Sequence, residues 1–232
     1  MKSLLVLRLE GVLQSWGEAG KWDYRDTWEF PTKSGIIGLL GCALGWQRNN
    51  PDLFALSQAL SIGVRADRRG ILLTDFHTIQ SKQLLNAQGK HRGLKGKFGT
   101  LVSHRNYLQD AYFTVVLEGE REKLEQIYEA LKHPKWPIYL GRKACIPSRP
   151  VYDQIYDCYQ SIEEALYSLP LAERSSDIIT VEIEKNAAGH LQGSCYSRND
   201  ARGRESRSFF SREVIRKTIN GLEEGRETNV SQ

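Results

Sequence analysis

Cysteine is sparse and scattered: Cys42, Cys145, Cys158 and Cys195 form no C-x-x-C pair and have no neighbouring histidine at zinc-ligand spacing. That argues against a metal site, and in a reducing compartment such residues are expected to serve as small buried apolar side chains. Long hydrophobic runs are missing too. The longest, Gly35 to Trp46, has 12 residues and is diluted by glycine, against the roughly 18 that a spanning helix requires. At the N-terminus Arg8 and Glu10 interrupt the apolar stretch and no small-residue cleavage site follows, so a secretory leader is not expected and residues 3 to 10 read as the first strand of a cytoplasmic protein. The sequence also lacks G-x-G-x-x-G, a Gly-Lys-Ser/Thr phosphate loop, G-x-S-x-G, H-E-x-x-H and the zinc-deaminase pattern, which removes the commonest nucleotide-binding and hydrolytic signatures. What is present suffices for a core. Of 232 residues 40% are hydrophobic and 26% charged, the balance of one large or two small globular domains rather than a disordered chain.

The net charge of +4 is modest but unevenly placed. Residues 76 to 109 carry Lys82, Lys90, Arg92, Lys95, Lys97 and Arg105 with no acid, and residues 130 to 152 carry Lys132, Lys135, Arg142, Lys143 and Arg149 with none. Residues 197 to 212 hold five arginines, Arg198 among them, against Asp200 and Glu205. The rest of the chain is therefore net acidic, a sign asymmetry that suits basic surfaces facing a polyanion, with nucleic acid first among candidates. Ordinary solvated surface explains any one such run.

After the first strand comes a polar loop with Trp16, Trp22, Tyr24, Trp28 and Phe30. Packing over a sheet accounts for most of these rings, base stacking for fewer. Pro31-Thr32-Lys33-Ser34 opens a helix with Thr32 or Ser34 as its cap. Gly35, Gly38, Gly41 and Gly45 then fall on one face, which is read as kept bare for close approach, with free amides at the helix start suited to a phosphate. A second short helix covers Leu53 to Leu60. Strands follow at Ile62 to Ala66 and Ile71 to Ile79, then a long hairpin with a basic, glycine-rich tip at about 77–107. Tyr107 to Leu117 reads as one strand and Glu120 to Lys132 as an amphipathic helix. Ile138-Tyr139-Leu140 is taken as the last strand of a β-α-β-β-α-β unit, the ferredoxin-like arrangement. The fold class expected is α+β: a ferredoxin-like, RNA-recognition-like domain over 1–148 with a protruding β-hairpin thumb, and a small β-rich C-terminal domain over 149–220. That second part would hold a helix at Ile162 to Ser168 and strands at Ile178 to Glu184, His190 to Arg198 and Phe209 to Ile219, with 221–232 as a tail.

A Tyr, Lys and His set could cleave RNA without a metal, a base activating the 2′-hydroxyl and a cation stabilising the phosphorane. The five histidines are scattered, and only Lys90-His91 and Lys132-His133 join the two residue types. In basic loops such residues serve more often as phosphate contacts. Catalysis is therefore not expected, a metal-independent endoribonuclease is the alternative, and a protein-only adaptor is a third class.

Gln14-Ser15-Trp16-Gly17, Phe30-Pro31-Thr32-Lys33-Ser34-Gly35-Ile36-Ile37-Gly38-Leu39-Leu40-Gly41 and Gln47-Arg48 resemble the N-terminal signature of the CasD family. These are RAMP proteins of type I-E CRISPR Cascade complexes. Asp75-Phe76-His77-Thr78, Arg105-Asn106-Tyr107-Leu108-Gln109-Asp110-Ala111 and Tyr139-Leu140-Gly141-Arg142-Lys143-Ala144-Cys145 match in order and spacing, so the resemblance spans most of residues 1 to 150. It is weaker around Tyr196-Ser197-Arg198-Asn199-Asp200 and Phe210-Ser211-Arg212-Glu213. The resemblance implies a non-catalytic subunit that grips the 5′ handle of crRNA beside the backbone and large subunits, meeting target DNA only indirectly through guide pairing. It implies no cofactor, metal or membrane. On this reading Lys33, Ser34 and Gly35 meet the handle at the helix start, and Arg48, Arg105, Tyr139, Arg142, Lys143 and Arg198 contact phosphates or unstacked bases. Lys90, Arg92, Lys95 and Lys97 would serve the thumb.

Overall fold

The computed structural model describes residues 2–18, 20–21, 23–85, 88, 90, 99–189, 191–203 and 208–220, the last two by backbone alone. In chain order the strands are β1 (Lys2–Glu10), β2 (Leu13–Gln14), β3 (Tyr24–Arg25), β4 (Ser61–Arg68), β5 (Ile71–Ser81), β6 (Gly99–Gln109), β7 (Tyr112–Glu120), β8 (Tyr152–Tyr156), β9 (Ile178–Glu184), β10 (Ser194–Arg202) and β11 (Phe209–Asn220). The helices are α1 (Lys33–Leu44), α2 (Asp52–Ala59), α3 (Arg121–Lys132) and α4 (Ile162–Ser168).

Alternation in β1 sets the layers. Leu5, Leu7 and Leu9 join the core packed under α1, α2 and α3, whereas Leu4 and Val6 join a second core under α4. Buried on both faces, β1 lies inside a seven-stranded sheet of order β10-β11-β9-β4-β7-β1-β8, every neighbouring pair antiparallel. Strands from both sides of residue 148 belong to this one sheet, since β9 bonds to β4. A smaller sheet places β2 and β3 on one side of β6 and β5 on the other. The hairpin β5–β6 pairs from Ile71 opposite Gln109 to Ser81 opposite Gly99.

Several expectations are corrected. Residues 138–140 form no strand, and the place beside β1 is taken by β8. Pro134, Pro137 and Pro147 offer no ladder N–H. Leu140 instead closes a local turn, its N–H donating to the Cys145 carbonyl at 2.7 Å, with Gly141 at φ 90°. The single strand expected at Tyr107 to Leu117 is divided by Asp110, whose φ of 55° ends β6 before β7 begins. Between residues 190 and 202 the strand starts later than expected, at Ser194. Cys145 is buried, but Cys158 and Cys195 are exposed.

Two charged residues inside β4 do not face water. Arg65 and Asp67 are buried and paired at 2.5 Å, and Asp67 accepts from Thr114, which in turn accepts from Arg8. Arg65 also donates to the Leu166, Leu169 and Pro170 carbonyls, neutralising the C-terminal end of α4 where cations are favoured.

Candidate nucleic-acid interface

A cleft of about 580 Å³ runs beside α1, with Ser34, Gly35, Gly38, Arg48 and Tyr139 in its lining. Its floor follows from the local sequence. The Thr32 hydroxyl caps α1 by accepting from Gly35 N–H at 3.2 Å. The four glycines have different reasons. A Cβ at Gly35 would lie 2.9 Å from the buried Trp16 ring, one at Gly41 would lie 2.6 Å from Leu53, and Gly45 ends the helix at φ 75°. Gly38 alone of these four has nothing within 4 Å of a built Cβ. The face is thus mostly filled by the protein itself and open at one point.

One wall is the segment after α3. Lys135 and Trp136 donate from their backbone to the Ala43 and Cys42 carbonyls at 3.0 and 3.2 Å, and Ser15 N–H donates to the Leu140 carbonyl at 3.1 Å. Against this wall the Tyr139 hydroxyl titrates above its ordinary value, raised by burial and by the adjoining Cys42 thiol. It stays a neutral donor rather than a base. The facing wall is the β10–β11 hairpin, represented by Arg202, Ser208 and Phe209.

The helix start is not an empty phosphate seat. Lys33 N–H donates to Asp200 Oδ2 at 2.8 Å, so an internal carboxylate occupies the place foreseen for a phosphate. Asp200 is 1% exposed and chelated by Arg212 at 2.6 and 2.8 Å. Burial alone would raise its pKa, but the Arg212 bonds and the Arg212 and Arg198 charges together hold the carboxyl below its ordinary value. Two residues expected to meet RNA are committed inside the same network. The Lys33 ammonium is buried against Glu184 at 2.8 Å and the Leu60 carbonyl, and Arg198 is buried against Glu182 at 2.6 Å.

The remaining expected residues separate clearly. Arg142 turns inward, donating to the carbonyls of Asn106, Arg25 and Asp26 and lying 4.8 Å over the Tyr107 ring. Arg105 is half-buried on β6, Lys143 is exposed on the turn before Cys145, and Lys90 is exposed near the hairpin tip. Arg92, Lys95 and Lys97 lie outside the described residues, as does His91. Lys132 is paired with Glu129 at 3.0 Å. Among the described residues no group of three His, Cys, Asp or Glu is placed to hold a metal ion, and no helix is long and apolar enough to cross a membrane.

Sequence reasoning missed Glu182, Glu184, Asp200, Arg212 and Arg216 as one assembly. A signal existed: charges alternate with apolar residues along β9 and recur in β10 and β11, the pattern of a shared sheet face.

The fold is that of a CRISPR-associated protein. A solved chain of a CRISPR RNA-guided surveillance complex superposes with a TM-score of 0.72 at 31% identity, covering 93% of this chain and 89% of that one. A crystal structure of a Cas protein gives 0.68 at 34% identity, with 94% and 95% covered. The CRISPR-associated Cas5 family model matches residues 4–219, and the chain belongs to that family. It is also 37% identical over 164 residues to the Cascade subunit CasD of Escherichia coli (strain K12), 66% of this chain and 70% of that protein.

Proposed function

We propose that this protein is a non-catalytic subunit of a type I-E Cascade complex that binds and caps the 5′ handle of crRNA and thereby helps to position the guide for target DNA recognition. The observation that carries the reading is the cleft: it is open over Gly38, rimmed by Arg48 and Arg202, and walled by Trp46, Trp136, Tyr139 and Phe209. Aromatic faces with guanidinium groups suit an unstacked single strand, whose bases stack while its phosphates pair with cations.

The strand order β8-β1-β7-β4, with α1 leading from β1 towards β4 and α3 from β7 to β8, supports a ferredoxin-like reading of the core. The β5–β6 hairpin is the candidate thumb, with Lys90, Arg92, Lys95 and Lys97 in the sequence between its strands and Arg105 on its return strand. Ser34, Gly35, Arg48, Tyr139 and Lys143 are the candidate handle contacts. Lys33, Arg142 and Arg198 act through position, holding α1 and the loops that form the cleft. The partners in this account are crRNA and the backbone and large subunits, in the cytoplasm.

The test incubates the purified protein, in EDTA and with and without partner subunits, with labelled repeat RNA and a handle-bearing guide. Retention of the handle without cleavage is expected. Specific cutting at the handle boundary would replace this account with the endoribonuclease.

A further inference from the structure

Arg202 was not foreseen as a functional residue, and the fold fixes it with unusual care. Between the pairs Arg198–Arg212 and Ala201–Phe210 strand β10 carries one residue more than β11, a bulge of the kind that re-aims side chains. Both residues of the bulge are tied down. Asn199 N–H donates to the Glu18 carboxylate at 2.9 Å, and the Asp200 carboxylate accepts from Lys33 N–H at 2.8 Å. Two residues on, Arg202 Nη2 donates to the Arg48 carbonyl. Three bonds therefore stitch β10 to the loop after β2, to α1 and to the loop after α1.

We propose that Arg202 and Arg48 together form a seat for one backbone phosphate of a single-stranded RNA at the mouth of the cleft, the C-terminal hairpin supplying half of it. The inference rests on the RNA-binding reading above and extends it to a residue and a wall which that reading did not assign. Two independent observations support it. The first is placement: both arginines line the cleft, beside Tyr139, Trp46 and Phe209, where adjoining bases find ring faces. The second is charge. Burial and the neighbouring Arg48 charge hold the Arg202 guanidinium below its ordinary pKa, and among the described residues neither arginine has an ion-paired carboxylate. Elsewhere in the same hairpin Arg198, Arg212 and Arg216 are all ion-paired with acids. Two neighbouring cations that no described carboxylate pairs are unfavourable until an anion joins them, and a phosphate accepts from two guanidinium forks at once.

The experiment measures binding of a fluorescein-labelled RNA carrying the repeat-derived 5′ segment to the full chain, alone and with partner subunits, across a salt series. Arg202→Ala should weaken binding on the order of tenfold, the loss of charged hydrogen bonds, and reduce the salt slope by about 0.7, one single-strand phosphate contact. Arg202→Lys should keep the slope and lose part of the affinity, because it keeps the charge without the fork. A series of RNAs with one neutral methylphosphonate each should show one position that weakens the wild type and leaves Arg202→Ala unaffected, a readout independent of the variant's stability. Wild-type affinity and slope in Arg202→Ala, with no such position, would overturn the phosphate seat and leave RNA binding standing. Absence of RNA retention by the wild type, alone and assembled, would overturn both.

Discussion

Gly38 separates the energetics of the fold from those of the cleft. A glycine inside a helix costs about 1 kcal/mol relative to alanine, and a Cβ at Gly38 meets no atom within 4 Å. Gly38→Ala should therefore stabilise the protein by up to about 1 kcal/mol, raising the melting temperature by roughly 2–4 °C for a chain of this size. The neighbouring glycines behave differently. Gly35→Ala would press a methyl to 2.9 Å from Trp16 and 2.8 Å from the capping Thr32 hydroxyl, and overpacking against a buried ring costs about 1–3 kcal/mol. Gly41→Ala meets the end of the Leu53 side chain at 2.6 Å, which can turn away at smaller cost. A larger residue at Gly38 projects into the cleft without displacing the core, so Gly38→Phe should melt near the wild type while losing most handle-RNA retention. Differential scanning fluorimetry and fluorescence anisotropy on the same preparations read both quantities. A lower melting temperature for Gly38→Ala, or wild-type RNA retention by Gly38→Phe, would refute the reasoning.

Other perturbations test the supports of the cleft. Asp200→Ala removes both short bonds to Arg212 and the acceptor of the Lys33 N–H, and should cost about 3–5 kcal/mol in urea unfolding; a loss below 1 kcal/mol would show that the network is slack. Because the Asp200 pKa is lowered in the fold, its ionised form contributes stability fully above the ordinary carboxylate value near pH 4 and loses it as the pH falls through the depressed one. Asp200→Asn should flatten that acid limb in melts taken across pH. Arg142→Ala removes three carbonyl contacts and should raise amide exchange in residues 139–145 and 25–26, whereas unchanged protection would leave Arg142 free to face RNA. Replacing Lys90, Arg92, Lys95 and Lys97 together should flatten the salt dependence of RNA retention by up to about 0.7 per lost phosphate contact, and an unchanged slope would remove the hairpin tip from the interface.

What was legible in the sequence was local. Thr32 at the helix cap, the apolar spacing of α3, the residues of α4 and the paired flanks of the β5–β6 hairpin are all written in short windows, and each recurs in the structure. What escaped depends on distant partners. Lys33 reads as a basic residue at an open helix start, and only Glu184 and Asp200, more than 150 positions away, make it an internal ion. Arg142 likewise looks available until the carbonyls of residues 25, 26 and 106 converge on it. The segment 138–140 has strand-like composition, but its turn is set by contact with Ser15 and Cys145. Alternation shows that a strand exists, not which neighbour it takes, so the strand that flanks β1 starts fourteen residues later than the sequence suggests.

The most direct measurement is photo-crosslinking of a handle RNA bearing photoreactive bases to the protein in its assembled complex, with the linked peptides mapped by mass spectrometry. Crosslinks concentrated in residues 34–48, 136–143 and 202–209 are the predicted result. Efficient crosslinking that leaves all three segments unlabelled would contradict the assignment of the cleft to the RNA.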